Sequence, residues 1–307
     1  MNYEELLYNI LQNDKKYIVL TAENRAAIRN LQSKIPQQFI DTGITEQTMI
    51  GVSAGLALRG RIPIAHALAT FLTMRPFEFI RTDVGIANLP VKLIGAIPGF
   101  LSEANGPTHQ AIEDISLMRG IPNMKVFAPA DEDDMIKSLP QIFEDNSPCY
   151  VRYNNSKPLI NHRPFQIGKS EVIGNGNEIA LLTYGFLFGE ALKTKEMLEL
   201  NGYSVRLINV RSIKPIDENS ILDAIDNCDL NVVIEDHFLT GGLYTIIAEL
   251  LLKHNKRANI FPISLNDRWF KPALINDVLE YEGFTAEKMT NAILEKYRTL
   301  TLVNKYD

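Results

Sequence analysis

Two cysteines, Cys149 and Cys228, are all that 307 residues contain, and neither their number nor their spacing suits a disulfide framework or a metal-ligand set. Free thiols in a reducing cytosol are the simple account. No apolar run reaches the 18 or so residues that span a bilayer. A Walker loop, a Gly-x-Gly-x-x-Gly fingerprint, a His/Cys metal cluster and a Ser or Cys nucleophile motif are all missing. Positive charge is not in excess either: 31 Lys and Arg face 37 Asp and Glu, for a net charge of −6. The basic residues are scattered rather than clustered, which excludes a nucleic-acid surface and an anionic membrane as partners. Residues 1–13 read as an amphipathic helix bearing Glu4 and Glu5 rather than a signal peptide. These absences predict a soluble, cytoplasmic protein.

What is present is an alternation of apolar runs and helical patterns. At 46% hydrophobic the chain has enough apolar material for two domains with cores of their own. Residues 17–21, 38–41, 62–68, 91–96, 125–128 and 149–153 are short apolar or β-branched runs. Helical patterns fall between them at 47–58, 76–88, 112–119 and 131–144, with Asp131 as an N-cap following Pro129. A polar, proline-bearing stretch from Asn154 to Pro164 then interrupts the pattern. Strand runs at 179–183, 204–209, 231–235 and 259–262 follow, with helices at 190–200, 220–227, 243–254 and 285–297. The expected fold is α/β in two domains, 1–160 and 161–307, each a mostly parallel sheet flanked by helices.

Open sheets of this kind bind ligands beyond the carboxyl ends of their strands, and several chemically capable residues fall there. Glu46 stands in Asp41-Thr42-Gly43-Ile44-Thr45-Glu46-Gln47, where an extended segment gives way to a helix of small residues. A carboxylate held on rigid elements at that junction can hydrogen-bond a heterocycle and select its tautomer. Phe71, Met74 and Phe77 recur every three residues; such a face is ordinarily core, and its functional use is stacking on a flat ring. In Gly106-Pro107-Thr108-His109-Gln110 the glycine and proline force a turn that opens a helix. His109 then either touches a substrate oxygen or caps locally. Arg152, after Cys149-Tyr150-Val151, is a candidate for an anionic group, with a surface ion pair as the competing account. Met49, Val52, Leu56 and Leu58 read as core, and Gly51 and Gly55 as a helix-packing face. Glu113 and Asp114 read as a solvated or interface pair. Gly241-Gly242 marks a strand-to-helix turn, for packing or for an anion.

Taken together, Gly43-Ile44-Thr45-Glu46-Gln47, Ala69-Thr70-Phe71-Leu72, Gly106-Pro107-Thr108-His109-Gln110 and Ile121-Pro122-Asn123-Met124…Ala128-Pro129-Ala130-Asp131-Glu132 closely resemble the transketolase-like family of thiamine-diphosphate enzymes. The resemblance covers essentially the whole chain, as a pyrimidine-binding domain followed by a transketolase C-terminal domain. It implies that Glu46 hydrogen-bonds the aminopyrimidine ring nitrogen and activates the cofactor. Phe71 and Phe77 would stack on the pyrimidine, and Ile44 would pack beside it. His109 would contact substrate oxygens and act in catalysis, Arg152 would meet the substrate's distal anion, and Asn105 and Arg75 would lie on the substrate side.

The activity so implied is transfer of a ketol unit from a ketose or ketose phosphate to an aldose through a thiamine diphosphate carbanion. The family's Gly-Asp-Gly…Asn signature for the diphosphate and metal is missing. The chain therefore looks like the C-terminal subunit of a split transketolase in carbohydrate metabolism. An N-terminal partner would hold the diphosphate with Mg2+ or another divalent cation, in an α2β2 heterotetramer without which this chain is inactive.

Departures from the family pattern concern the substrate. Asn105 replaces an acidic residue before Gly-Pro-Thr-His, Ile97-Pro98-Gly99-Phe100 replaces a stretch carrying a His, and an additional residue enters around Met74-Arg75-Pro76. They point to a specialised ketose. The alternatives are a 2-oxoacid dehydrogenase beta subunit, which shares the two-domain plan and an Ile-Thr-Glu run, and a 1-deoxyxylulose 5-phosphate synthase-like enzyme. A non-catalytic scaffold is disfavoured by the presence of Glu46, Phe71 and His109 together.

Overall fold

The computed structural model describes residues 1–303 and contains two sheets. The first is built from β1 (Tyr17–Thr21), β2 (Phe39–Asp41), β3 (Ile62–Leu68), β4 (Lys92–Ala96), β5 (Lys125–Phe127) and β6 (Cys149–Arg152). The second comprises β7 (Glu171–Ile173), β8 (Ile179–Thr183), β9 (Val205–Asn209), β11 (Leu230–Phe238) and β12 (Ile260–Leu265). A further strand, β10 (Ser212–Lys214), leaves the second half of the chain and pairs antiparallel with β5. The first sheet thus runs β10-β5-β6-β4-β3-β1-β2, and the second β12-β11-β8-β9-β7. Apart from β10 and the antiparallel β7–β9 pair, all pairings are parallel.

The pleat sorts side chains to opposite faces. Val19, Ile64, Ile94 and Val151 point to a layer formed by the helices Tyr3–Asn13 and Glu132–Glu144, through Leu7, Leu11, Met135 and Leu139. Ile18, Leu20, Ala65 and Leu93 point to the other face, where the helices Glu46–Leu58, Ala69–Met74 and Asp114–Arg119 contribute Met49, Leu72, Ile115 and Met118. Leu7, Leu11 and Leu139 are fully buried, and each such side chain contributes roughly 1.5–3 kcal/mol. Asp131 caps its helix as the sequence predicts, accepting from the Asp134 amide at 3.1 Å.

The two halves are joined by buried charge. Arg152 is 2% exposed and pairs with Asp114 of the first half at 2.8 Å and with Asp236 of the second. Nearby, His162 donates to Asp131 through Nε2 (2.9 Å) and to Glu171 through Nδ1 (2.6 Å), while Arg211 reaches Asp134 at 2.8 Å. Gly99 has φ +56°, and a Cβ there would lie 1.8 Å from an Asp236 oxygen. Only glycine lets the chain pass so close.

Two expectations are corrected. Val52 and Leu58 are exposed, not core, because the helix Glu46–Leu58 turns only Glu46, Met49, Ile50, Ser53, Ala54 and Ala57 inward. Asp114, read as part of a solvated or interface pair, is wholly buried between the halves. No described helix is long and apolar enough to cross a membrane.

Candidate active site

Four of the residues singled out in the sequence converge over the face of the first sheet covered by the helix Glu46–Leu58. Glu46 begins that helix, directly beyond β2, and is 3% exposed. A carboxylate in the first turn is favoured by the helix's positive end. Its partner is Arg75, whose Nη1 donates to both carboxylate oxygens at 3.0 and 3.2 Å. Arg75 follows the helix Ala69–Met74, which starts where β3 ends and carries Phe71. The guanidinium lies 3.6 Å from the centre of the Phe71 ring. The same ring also meets His109, edge-on at 5.0 Å.

The loop bearing His109 is held by its own chemistry. Gly106 takes φ +85°, and Pro107 then starts the short turn Pro107–His109, closed by the His109 amide donating to the Gly106 carbonyl at 2.9 Å. The next residue, Gln110, donates to the Phe270 carbonyl of the second half at 2.8 Å. His109 shares a 3.0 Å hydrogen bond with the Thr108 hydroxyl through Nδ1, so Nε2 is the ring atom left to face a ligand. It ends a turn rather than opening a helix; the helix starts five residues later, at Asp114.

The other predicted site residues make none of these contacts. Ile44 is 67% exposed. Phe77 packs half-buried against the core. Asn105 is exposed, its amide donating to the Ser102 carbonyl at 2.8 Å. Arg152 is a correction. Its Nε and Nη2 are taken by Asp114, its Nη1 by Asp236, and Nη2 also reaches the Ala111 carbonyl. A guanidinium so saturated and buried has no donor left for a substrate's anion; it joins the halves instead. The Gly241-Gly242 turn holds no free helix end either, since Glu235 accepts from the Leu243 and Tyr244 amides at 2.7 and 3.0 Å. Burial pushes the Glu235 carboxyl up to about 7 despite those bonds.

The geometry adds what spacing did not reveal. Arg75 and Glu46 are 29 residues apart, and nothing in their separate motifs pairs them. The resulting cradle is a buried carboxylate, an aromatic face and an imidazole around a planar cation bearing N–H groups. It therefore suits a flat heterocycle that stacks and hydrogen-bonds, as an aminopyrimidine does. Among the described residues, no group of three His, Cys, Asp or Glu is placed to hold a metal ion.

Comparison with known proteins bears on the same region. The transketolase pyrimidine-binding domain family matches residues 1–158, and the transketolase C-terminal domain family matches residues 168–289. The 6-deoxy-6-sulfo-D-fructose transketolase subunit SqwH of Clostridium sp. (strain MSTE9) is 32% identical over 299 residues, covering 95% of this chain and 92% of that one. The 1-deoxy-D-xylulose-5-phosphate synthase of Crocosphaera subtropica is 31% identical over 304 residues, which is 96% of this chain but 48% of that enzyme. A solved structure described as a split-gene transketolase, an inactive β4 tetramer, superimposes with a TM-score of 0.85 at 30% identity and 97% coverage of both chains.

Proposed function

Since the chain belongs to the transketolase family, we propose that it is the pyrimidine-side subunit of a split transketolase, working in carbohydrate metabolism with a separate N-terminal subunit. The observation that carries this reading is the Glu46–Arg75–Phe71–His109 cradle, in which a planar cation already makes the two contacts an aminopyrimidine would make. The Clostridium relative, named as a transketolase subunit and matched over 92% of its length, and the split-gene structure support it.

Thiamine diphosphate, when bound, supplies an acidic thiazolium carbon and an electron sink for carbon–carbon cleavage. This chain's residues would hold its pyrimidine end. Glu46 would share a hydrogen bond with the ring nitrogen, in a site where 3% exposure keeps water from competing. Phe71 would lie against the ring face once Arg75 had moved off it. His109, fixed by Gly106 and by Gln110, would present Nε2 to a substrate oxygen and hold or pass its proton.

The chain carries no Gly-Asp-Gly…Asn signature, so the diphosphate and Mg2+ or another divalent cation fall to the partner. A surface for that partner is available. Val52, Leu58, Phe79 and Ile86 are exposed on or beside the helix Glu46–Leu58, along with Ile44 just before it, and a Cβ on Gly51 or Gly55 would meet nothing within 4 Å. An exposed apolar flank of this kind beside a site marks a protein interface. Two copies of each subunit, α2β2, complete the proposed assembly.

The test is reconstitution. Neither subunit alone should transfer a ketol unit from a ketose to an aldose, and the mixture with thiamine diphosphate and Mg2+ should do so. Ketol transfer by this chain alone would defeat the split-enzyme reading. The Crocosphaera relative favours one rival, a 1-deoxyxylulose 5-phosphate synthase-like activity, so pyruvate with glyceraldehyde 3-phosphate belongs in the same assay.

A further inference from the structure

A cavity of about 590 Å3 opens on the opposite face of the first sheet from the Glu46 cradle. It lies beyond the carboxyl ends of β1, β3, β4 and β6, where doubly wound sheets receive ligands. Two of its wall residues neighbour the cradle's elements along the chain. Leu68 in its wall immediately precedes the helix that carries Phe71, and Glu103 in its wall sits three residues before Gly106. It is lined in part by Tyr3 and Glu4 of the first helix, Asn24 beyond β1, Glu132 at the start of its helix and Asn155 beyond β6.

The charge of this lining is one-sided. Three carboxylates, Glu4, Glu103 and Glu132, line it, and among the described residues no Lys or Arg does. Glu4 is bonded to Asn30. Among the described residues, the carboxylates of Glu103 and Glu132 have no hydrogen-bond or ion-pair partner. Its one histidine, His66, adds no positive charge, because burial lowers it to about 3. Tyr153, also in the wall, keeps its proton, since burial and the nearby Glu132 push it up to about 12. Among the described residues the lining therefore offers acceptors and amides suited to hydroxyl groups and no cationic side chain to neutralise an anion.

A second observation points to a ligand. His66 is 4% exposed and bonds the Tyr3 hydroxyl through Nε2 at 3.2 Å, while its Nδ1 has no partner among the described residues. A ring nitrogen of a buried residue that has no protein partner and opens onto the cavity is available to a ligand. Ile97 and Glu103, both in the wall, are also held at φ +48° and +45°, a conformation that costs energy in residues other than glycine.

We propose that this cavity receives the far end of the sugar, accepting an uncharged polyhydroxylated end and rejecting a phosphorylated one, with Glu103 and Glu132 setting the preference. That the ligand is a sugar rests on the transketolase reading; the preference against anions rests on the lining. Glu103 and Glu132 are specificity residues here, away from the reacting atoms.

The probes are D-fructose and D-fructose 6-phosphate. Binding to the chain alone is followed by saturation-transfer NMR, and kcat/KM is measured for the enzyme reconstituted with its N-terminal subunit. Wild type should favour fructose by about tenfold or more in both measurements. Glu132→Gln and Glu103→Gln should narrow the ratio, and Glu132→Lys should shift it at least about tenfold towards the phosphate. A wild type that favours fructose 6-phosphate, a ratio unmoved in all three variants, or no binding of either probe would overturn the proposal. Preferential binding of fructose with no ketol transfer from either sugar would instead remove the transketolase reading and leave the cavity's preference in place.

Discussion

Arg75 holds Glu46 from the far side of Phe71, so one guanidinium satisfies the buried carboxylate and covers the aromatic face together. The pair is unequal: the Glu46 side chain is 4% exposed and that of Arg75 42%. A half-exposed ion pair of this kind is worth about 1 kcal/mol or less, weak enough to open when a better ligand arrives. On the proposed reading, the cofactor ring and Arg75 compete for one place. Arg75→Ala should therefore tighten thiamine diphosphate binding to the reconstituted enzyme, by up to about fivefold in Kd by calorimetry. Weaker binding in that variant would make Arg75 a cofactor contact.

Glu46→Gln keeps the shape of the side chain and removes its charge. Ketol transfer should fall by roughly 10²-fold or more, while the melting temperature of the isolated chain moves by only a few degrees. Full activity in this variant would mean that the carboxylate has no part in the chemistry.

Arg152 gives a sharper contrast. Its removal leaves Asp114 and Asp236 buried without a counter-charge, so Arg152→Ala should cost about 3–5 kcal/mol of stability, read from the urea midpoint. Had this residue gripped a substrate anion, the change would raise KM and spare stability. Burial raises the pKa of Asp236 in spite of Arg152, whereas the Asp114 carboxyl, penalised by the same burial, is carried down by Arg152 and Tyr150.

The His162 bridge predicts a pH dependence. Burial opposes charge on His162, but its bonds to Asp131 and Glu171 outweigh that and raise it to about 10. Glu171, also opposed by burial, is carried down to about 2 by His162 and the Arg163 amide. A histidine raised from its usual value near 6.5 gives its full stabilisation below about pH 6.5 and loses it as pH climbs towards 10. A lowered glutamate gives its full share above about pH 4.5 and loses it as pH falls towards 2. The melting-temperature gap between wild type and His162→Gln should be widest near pH 5–6 and shrink by about pH 10. A constant gap across that range would mean that folding does not shift the His162 pKa, and a gap that widens as pH rises through 6.5 would mean that His162 is uncharged in the folded chain.

Much of the fold was legible because period and punctuation agreed. The alternation along Ile18, Val19 and Leu20, the Asp131 cap and the polar stretch after Asn154 each carry a local signal. β7 and β10 carried none, since three residues are too few to show a period. Val52 and Leu58 misled for a related reason: apolar type alone does not say whether a residue meets its own core or another surface. At the site, Glu46, Phe71 and His109 announced themselves by motif. The Arg75–Glu46 bond and the Arg152 clamp did not, because each joins residues far apart in the chain, and only packing decides whether a guanidinium faces solvent, ligand or a buried acid.

β10 has one more consequence. It is made by the second half and completed by the first, lying against β5 as the outermost strand. Severing the chain after Asn154 would free a fragment whose β5 edge shows bare amides and carbonyls to any passing strand. The fragments should clump rather than persist as two independent bodies, so the protein is best thought of as a single folding unit with two sheets.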